Sequence, residues 1–190
     1  ILSVLLFFLI SFSTNAENKI LKIGDENAKI TVKVFSSLTC PHCASFHESI
    51  FEKLKKEYID KNLVSFEHHS FPLDLAALNA EIIVRCHQDN VKKFQLLGEI
   101  YKKQNKWAVG SDINIINESI KKIGLNLGLR NNIMDNCLKN ETIQDQILNE
   151  RINAQKEYKI QSTPTIYINE KQYNGEHEYS SFKKALERIL

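Results

Sequence analysis

The sequence lacks an excess of charge of either sign, with 25 basic and 23 acidic side chains and a formal net charge of +2. This balance gives no reason to expect a nucleic-acid partner. Glycine is also scarce, with six residues in 190, and nothing in the chain resembles a glycine loop that binds phosphate. His47 and Glu48 are not followed by a second histidine at the spacing of the zinc metalloproteases, which excludes that class of enzyme.

Charge is absent from the start of the chain, where residues 1–12 form a mostly apolar run that ends before Thr14, Asn15 and Ala16. The run has the length of the apolar part of a signal peptide, with a cleavage site after Ala16. Because it has neither an initial methionine nor a basic segment before it, we expect a leader that is truncated at its start. A membrane anchor is the competing interpretation, since a few more apolar residues would bring the run toward the roughly 20 that span a bilayer. The polar residues at 11–15 favour cleavage, so we predict a signal peptide at residues 1–16 and export in soluble form.

Cysteine occurs at only four positions, and none precedes Cys40, which excludes lipid attachment to a cysteine at the end of the leader. Cys40 and Cys43, with Pro41 and His42 between them, follow residues 30–35, which are rich in β-branched and aromatic side chains and predict a buried strand. After the second cysteine, apolar residues recur at helical spacing. The first cysteine is therefore predicted to lie where a strand ends and a helix begins.

A helix N-terminus suits the chemistry of a thiolate. Free backbone N–H groups and the positive end of the helix dipole stabilise an anion there. We therefore predict a lowered pKa for the Cys40 thiol and a shielded position for Cys43, one turn into the helix. Pro41 fits the first turn because its missing N–H needs no partner there. His42 can add positive charge or a hydrogen-bond donor near the Cys40 sulfur.

Zinc binding is the alternative use of this Cys-x-x-Cys pair, with His68 and His69 as the other ligands. No second Cys-x-x-Cys and no His-x3-His follows at the spacing of a zinc finger, so we favour redox chemistry and expect no metal. The two histidines end a second predicted core strand, residues 63–69, in which they point to opposite faces. One of them could approach the cysteines, but an exposed or hydrogen-bonded structural histidine is the favoured interpretation.

Together these features resemble the DsbA family of thiol:disulfide oxidoreductases, which have the thioredoxin fold. The resemblance rests on the strand, the motif Cys40-Pro41-His42-Cys43, the helix after it, and a later Ser162-Thr163-Pro164-Thr165 that precedes another strand. The Pro-His dipeptide is typical of the family, and segments 24–28 and 71–74 also match it. The resemblance implies an α/β fold of the thioredoxin type, a central mixed β-sheet flanked by helices.

Helical spacing continues through residues 75–158, far beyond the one helix that a plain thioredoxin needs between its second core strand and the proline loop. The resemblance to DsbA interprets this stretch as an inserted all-helical subdomain at about residues 72–158. We therefore predict a single thioredoxin-like domain over residues 17–190, long enough for a sizeable core, with the insertion inside it.

The resemblance implies a protein-disulfide oxidoreductase that introduces disulfide bonds into newly translocated proteins in the periplasm. Its redox centre would be the Cys40–Cys43 disulfide, with Pro41 and His42 in the catalytic motif and with no bound cofactor. The expected partners are unfolded or partly folded exported proteins with free cysteines, and a membrane protein that resembles DsbB and reoxidises the enzyme. We expect a monomer.

The resemblance also implies a cis bond between Thr163 and Pro164 beside the active cysteines. There the backbone of Thr163 would bind a substrate peptide as an added strand. The best-known DsbA has valine before this proline, whereas threonine is common in disulfide isomerases and reductases of the same fold. An isomerase or reductase is therefore the alternative function, and a non-enzymatic zinc-binding or peptide-binding module is the third.

Cys86 and Cys137 lie on two predicted helices of the insertion. In an exported protein, such an even pair of cysteines is expected to be bridged. A disulfide that closes a loop of about 50 residues would stabilise the fold by roughly 4 kcal/mol. We predict a structural disulfide, with two buried free thiols as the alternative.

Overall fold

Five strands form one mixed sheet in the computed structural model, which describes residues 20–190. The strands are β1 (Leu21–Ile23), β2 (Ile30–Ser36), β3 (Val64–Ser70), β4 (Thr165–Ile168) and β5 (Lys171–Gln172). Their order in the sheet is β1-β3-β2-β4-β5, with β2 and β3 parallel and the other pairs antiparallel. The predicted mixed sheet is confirmed. The predicted signal peptide, residues 1–16, lies outside the described residues.

The two central strands are buried on both faces. Every residue of β3 is buried, because the rings of Phe51 and Phe94 pack on Phe66 on one face while the ring of Phe35 packs on His69 on the other. Helices that cover both faces are the usual surroundings of a parallel strand pair. The parallel register pairs Val34 with His68 and Ser36 with Ser70, so these four side chains share one face of the sheet.

The chain leaves β2 and enters a helical rod of three parts. These are α1 (Pro41–Phe46), a π-helical turn (His47–Phe51) and α2 (Glu52–Glu57), and one turn of 3₁₀ helix (Ile59–Lys61) follows. The junctions keep right-handed helical dihedral angles, so the rod is continuous. Its apolar side chains face the sheet, as the helical spacing predicts, and the π turn buries the adjacent residues Ile50 and Phe51. The rod therefore holds Cys40 and Cys43 at its first turn, above the end of β2.

Six helices lie between β3 and β4, and they confirm the helical insertion. They are α3 (Leu75–Arg85), α4 (Asn90–Lys102), α5 (Gln104–Trp107), α6 (Ile113–Asn126), α7 (Asn131–Leu138) and α8 (Glu141–Glu157). Four begin with an aspartate or asparagine whose side chain accepts a hydrogen bond from a backbone N–H of the first turn, which is the usual helix cap. Within residues 20–190, no helix is both long and apolar enough to cross a membrane.

A disulfide joins Cys86, just after α3, to Cys137 in α7, with the Cα atoms 6.1 Å apart. Leu78 and Ile82 of α3 form an apolar cluster with Ile147 of α8, and Cys137 packs against this cluster. The bridge therefore fixes two helices of the insertion to each other at a point where their apolar side chains already meet.

The chain ends with α9 (Tyr179–Glu187), which buries Phe182 and Leu186 against the rest of the core. The residue before its first turn is Glu178. Strand β5, which pairs with β4, is only two residues long and pairs Gln172 with Tyr167 and Lys171 with Ile168.

Candidate active site

Cys40 is the N-cap residue of α1 and is only 7% exposed. Its carbonyl accepts hydrogen bonds from the backbone N–H groups of Cys43 and Ala44. The pKa of its thiol is lowered from 9.0 to about 5. The hydrogen bond with the Cys43 thiol is the largest cause, the Thr163 hydroxyl and the backbone N–H groups of Cys43 and His42 add to it, and burial opposes them. Cys40 is therefore a thiolate at neutral pH when the pair is reduced.

The pKa of the Cys43 thiol shifts in the direction opposite to that of Cys40. It is 1% exposed, and burial is the first cause that raises the pKa of its thiol far above the ordinary value. The hydrogen bond and the negative charge of Cys40 raise it further. Both cysteines are free in this structure, which is thus the reduced form. The split in pKa makes Cys40 the reactive sulfur and Cys43 the protonated partner.

The two residues between the cysteines are exposed on the first turn of α1. Pro41 is the first helical residue, where its ring is compatible with the helix and no N–H is needed. His42 acts on the Cys40 sulfur through its backbone N–H. A contribution from the His42 imidazole stays a prediction.

The loop before β4 lies against the Cys40 sulfur. The bond between Thr163 and Pro164 is cis, and the Cys40 thiol donates a hydrogen bond to the Thr163 carbonyl oxygen at 3.3 Å. The Thr163 hydroxyl is buried and has no hydrogen-bond partner among the described residues. Since this hydroxyl lowers the pKa of Cys40, it stabilises the thiolate once the proton has left.

Two side chains that the sequence did not single out also hold the active-site loop. Gln104 of α5 donates hydrogen bonds from Nε2 to the carbonyl oxygens of Leu38, at 2.8 Å, and Cys40, at 3.0 Å. Asp74 caps α3 with one carboxylate oxygen and accepts a hydrogen bond from the Thr39 hydroxyl, at 2.7 Å, with the other. The insertion therefore touches the loop at both ends of the segment that leads into the first cysteine. Asp74 lies in the 71–74 segment that resembles DsbA, whereas no sequence signal marks Gln104.

The two histidines of β3 are buried and paired with carboxylates. His68 Nε2 lies 2.7 Å from Glu81 Oε1, and His69 Nε2 lies 2.8 Å from Glu67 Oε2. Across residues 20–190, no three or more His, Cys, Asp or Glu side chains are grouped so that they could hold a metal ion.

A shallow cavity of about 480 Å³ begins at Thr39, next to the reactive cysteine. Its walls come from the start of α3, including the exposed Leu75, and from the turn before α6, including Gly110. A larger cavity of about 720 Å³ lies along the π turn and α4, and neither active-site cysteine lines it. Neither cysteine lines the smaller cavity either, but its residue Thr39 directly precedes Cys40 in the chain.

Comparison with known families gives a match over nearly the whole chain. A family model described as thioredoxin matches residues 15–188. This range contains both cysteine pairs, the proline loop and the entire helical insertion.

Named relatives of this chain have less than 30% sequence identity to it. A provisionally named protein-disulfide oxidoreductase of Rickettsia bellii is 29% identical over 184 residues, which cover 96% of this chain and 68% of that protein. Disulfide bond formation protein D of Bacillus subtilis is 29% identical over 177 residues, which cover 88% of this chain and 76% of that protein. The chain spans 63% of the corresponding protein of Rickettsia typhi and 59% of that of Rickettsia conorii.

Solved structures share the fold. α-DsbA1 of Wolbachia pipientis superposes with a TM-score of 0.82 at 24% identity, over 90% of each chain. Oxidised BdbD of Bacillus subtilis superposes with a TM-score of 0.79 at 23% identity, over 90% of this chain and 92% of that one. The helical insertion into a thioredoxin-like sheet is therefore an arrangement that these proteins have in common.

Proposed function

The chain belongs to the thioredoxin family, and from that premise we propose that it is a DsbA-like protein-disulfide oxidoreductase that introduces disulfide bonds into other proteins. The main support for the proposal is the difference in pKa between the two thiols. The pKa of the Cys40 thiol is lowered to about 5, whereas burial keeps the thiol of Cys43, three residues away, protonated. When the two pKa values differ in this way, one sulfur is suited to act as nucleophile and leaving group, and the other is suited to close the disulfide.

The reaction begins with the enzyme in its disulfide form. A substrate thiolate attacks the Cys40 sulfur, a bond forms between the two sulfurs, and the Cys40–Cys43 bond breaks with its electron pair on Cys43. A second substrate thiolate then attacks the substrate sulfur of this mixed disulfide and releases Cys40 as a thiolate. The substrate loses two electrons and gains a disulfide, while the enzyme gains two electrons and becomes the dithiol.

The low pKa of Cys40 drives the second step. A thiol of low pKa is a good leaving group, so the mixed disulfide opens toward the substrate disulfide. Stabilising the Cys40 thiolate also favours the reduced enzyme, which makes the Cys40–Cys43 disulfide an oxidant. This link between a stable thiolate and oxidising power is established for DsbA itself, and its extension to this chain is part of the proposal.

The substrate is proposed to lie along the proline loop and the 480 Å³ cavity. The Thr163 backbone would pair with an extended peptide, and the exposed Leu75 would contact its apolar side chains. Unfolded proteins with free cysteines offer both features, because their backbones are unpaired and their apolar side chains are exposed.

The cellular setting proposed for this chemistry is the periplasm. The predicted leader supports export, and the Cys86–Cys137 disulfide fits an oxidising compartment. The enzyme would act as a monomer on newly exported proteins, with the Cys40–Cys43 pair as its only redox group. A DsbB-like membrane protein would return the dithiol to the disulfide.

A direct test is to mix the oxidised protein with a reduced, unfolded model protein that has several cysteines. We expect disulfides to appear in the substrate as the enzyme is reduced, and Cys40→Ser to abolish the transfer. The alternative function, isomerase or reductase, is suggested by Thr163 before the cis proline. It would show itself as faster rescue of a substrate with scrambled disulfides than oxidation of a reduced one. Absence of both activities in the correctly folded protein would contradict the proposal.

A further inference from the structure

The cavity of about 480 Å³ beside the active-site loop has a single charged side chain in its wall. Among the described residues that line it, Asp74 is acidic and the other eight are uncharged. The thiol exchange at Cys40 and Cys43 gives this carboxylate no task. A lone charged group in an otherwise neutral concave surface is the kind of feature that selects a ligand by its charge.

The Asp74 carboxylate is held in one position by two hydrogen bonds. Its Oδ1 accepts from the backbone N–H of Ala77 at 2.7 Å, and its Oδ2 accepts from the Thr39 hydroxyl at 2.7 Å. The first bond belongs to α3 and the second belongs to the active-site loop. Because the two oxygens are fixed from different parts of the chain, a ligand would not have to order this side chain when it binds.

The negative charge of Asp74 is not neutralised by the protein. Within residues 20–190, its carboxylate forms no ion pair with a lysine, arginine or histidine. The side chain is exposed, and each oxygen of a carboxylate can accept more than one hydrogen bond. An external cation can therefore pair with Asp74 while the cap of α3 and the bond to Thr39 stay in place.

The rest of the cavity wall is largely apolar. Leu75 is 53% exposed, and the partly buried side chains of Ala76, Ala108 and Ile113 also line the cavity. Lysine and arginine side chains lay their methylene stem along apolar surface of this kind and keep the charged end with polar groups. Apolar walls and one carboxylate therefore match both parts of a basic side chain.

Thr39 connects this cavity to the reactive sulfur along the chain. It donates its hydroxyl hydrogen bond to Asp74 and directly precedes Cys40. Consecutive Cα atoms are about 3.8 Å apart, and an extended peptide advances about 3.3 Å per residue. A polypeptide whose cysteine is bonded to Cys40 therefore has side chains one or two positions from that cysteine within reach of the Asp74 carboxylate.

We propose that this cavity is a subsite for a lysine or arginine side chain that lies next to the substrate cysteine. The ammonium or guanidinium group pairs with the Asp74 carboxylate, and the methylene stem lies on the apolar wall. The subsite makes no bond to sulfur, and it speeds the exchange by holding the substrate cysteine at Cys40. The inference rests on the proposed oxidoreductase function and names the class of substrate sequence that the enzyme oxidises fastest.

Other side chains fit the same cavity less well. An acidic side chain would bring a second negative charge to Asp74, and such like-charge contacts are a usual way to reject the wrong partner. An apolar side chain would use the walls, but it would displace water from the carboxylate without replacing the lost hydrogen bonds. The cavity therefore ranks side chains beside the substrate cysteine as basic first, apolar second and acidic last.

The ranking is testable by reducing the oxidised protein with short peptides that contain one cysteine. Two series have lysine, norleucine or glutamate directly before or directly after the cysteine, and norleucine keeps the stem of lysine without its charge. Each rate is divided by the rate of the same peptide with oxidised glutathione, which corrects for the reactivity of the peptide thiol. In at least one series, lysine should exceed norleucine by roughly fivefold, the upper end for an exposed ion pair, and added salt should reduce the ratio.

Asp74→Asn removes the charge and keeps an equally good cap for α3. It should abolish the preference for lysine over norleucine, and a ratio of two peptides on one protein is insensitive to any change in Cys40 itself. Asp89→Asn is the matched control, because Asp89 caps α4 through the N–H of Lys92 at 2.8 Å and does not line the cavity. If Asp74→Asn does not fold, the salt dependence of the ratio in the unmodified protein decides.

Two outcomes would overturn the subsite and leave the proposed function intact. One is equal corrected rates for lysine, norleucine and glutamate in both series, and the other is a lysine preference that persists in Asp74→Asn. Failure of every peptide to reduce the Cys40–Cys43 disulfide would instead contradict the oxidoreductase function itself.

Discussion

The two cysteine pairs of this protein lie in opposite surroundings. Cys40 and Cys43 are free and stand at the start of a helix, where N–H groups, a hydroxyl and a neighbouring thiol stabilise negative charge. Cys86 and Cys137 are bridged across a sequence separation of 51 residues, between helices whose apolar side chains pack together. The difference shows that the groups around the sulfur decide whether a cysteine pair reacts or holds the fold together.

The largest expected effect concerns the ionisation of the Cys40 thiol. We expect the ultraviolet absorbance of its thiolate to titrate near pH 5, because the pKa is lowered from 9.0 to about 5. The thiolate stabilises the folded reduced protein, so this contribution is fully present above the pKa of the unfolded thiol and is lost as the pH falls through about 5. Denaturant unfolding of the reduced protein on both sides of this range measures it.

The oxidised protein is the control for that measurement, because it has no thiolate at position 40. The reduced form should be the more stable of the two at neutral pH, and the difference should diminish in acid. Greater stability of the oxidised form at neutral pH would contradict the proposed oxidant.

Removing the Cys86–Cys137 disulfide tests whether the second pair has a purely structural role. Cys86→Ala with Cys137→Ala should lower the free energy of unfolding by about 4 kcal/mol, because the unfolded chain regains the freedom of a long loop. The rate of disulfide transfer to a substrate should not change, since neither sulfur is among the groups that shift the pKa of Cys40. Loss of transfer in a variant that is still folded would show that the second pair takes part in the chemistry.

Thr163→Val tests one of the groups that stabilise the thiolate. Losing the hydroxyl should raise the pKa of Cys40 by roughly one unit, the usual scale for a hydrogen bond to a charged group. Thr165→Val is the matched control, because the Thr165 hydroxyl donates to the Ser162 carbonyl oxygen and not to the sulfur. An unchanged titration of Cys40 in Thr163→Val would show that this hydroxyl does not lower the pKa of Cys40.

Gln104→Ala should have the smallest effect, a loss of about 1 kcal/mol in stability, because water can replace part of the lost hydrogen bonding. Gln95→Ala, at an exposed position of α4, serves as the control for the substitution itself. A differential scanning calorimeter can separate the two variants, and equal melting temperatures would show that the link between Gln104 and the active-site loop carries no stability.

Much of the fold and the reactive pair could be predicted from local sequence patterns. The apolar strand before Cys40 and the helical spacing after Cys43 together locate the junction between strand and helix at which the thiolate lies. The long helical stretch after β3 predicts the insertion for the same reason. These features depend on residues that are close together in the chain.

The polar surroundings of the pair could not be predicted in this way. Gln104 meets the carbonyl oxygens of Leu38 and Cys40 only because the insertion packs beside the active-site loop, and alone it fits an ordinary helix. The pairing of His68 with Glu81 depends on the same packing. Periodicity shows that a side chain is buried, but it does not show which distant side chain it meets.

The hydrogen bonds from Gln104 make the helical insertion part of the wall of the redox centre. A shortened chain in which β3 ran directly into β4 would keep a thioredoxin sheet, yet it would leave the Leu38 and Cys40 carbonyl oxygens without these donors. The insertion therefore could not be trimmed or exchanged without changing the hydrogen bonds that hold the catalytic motif.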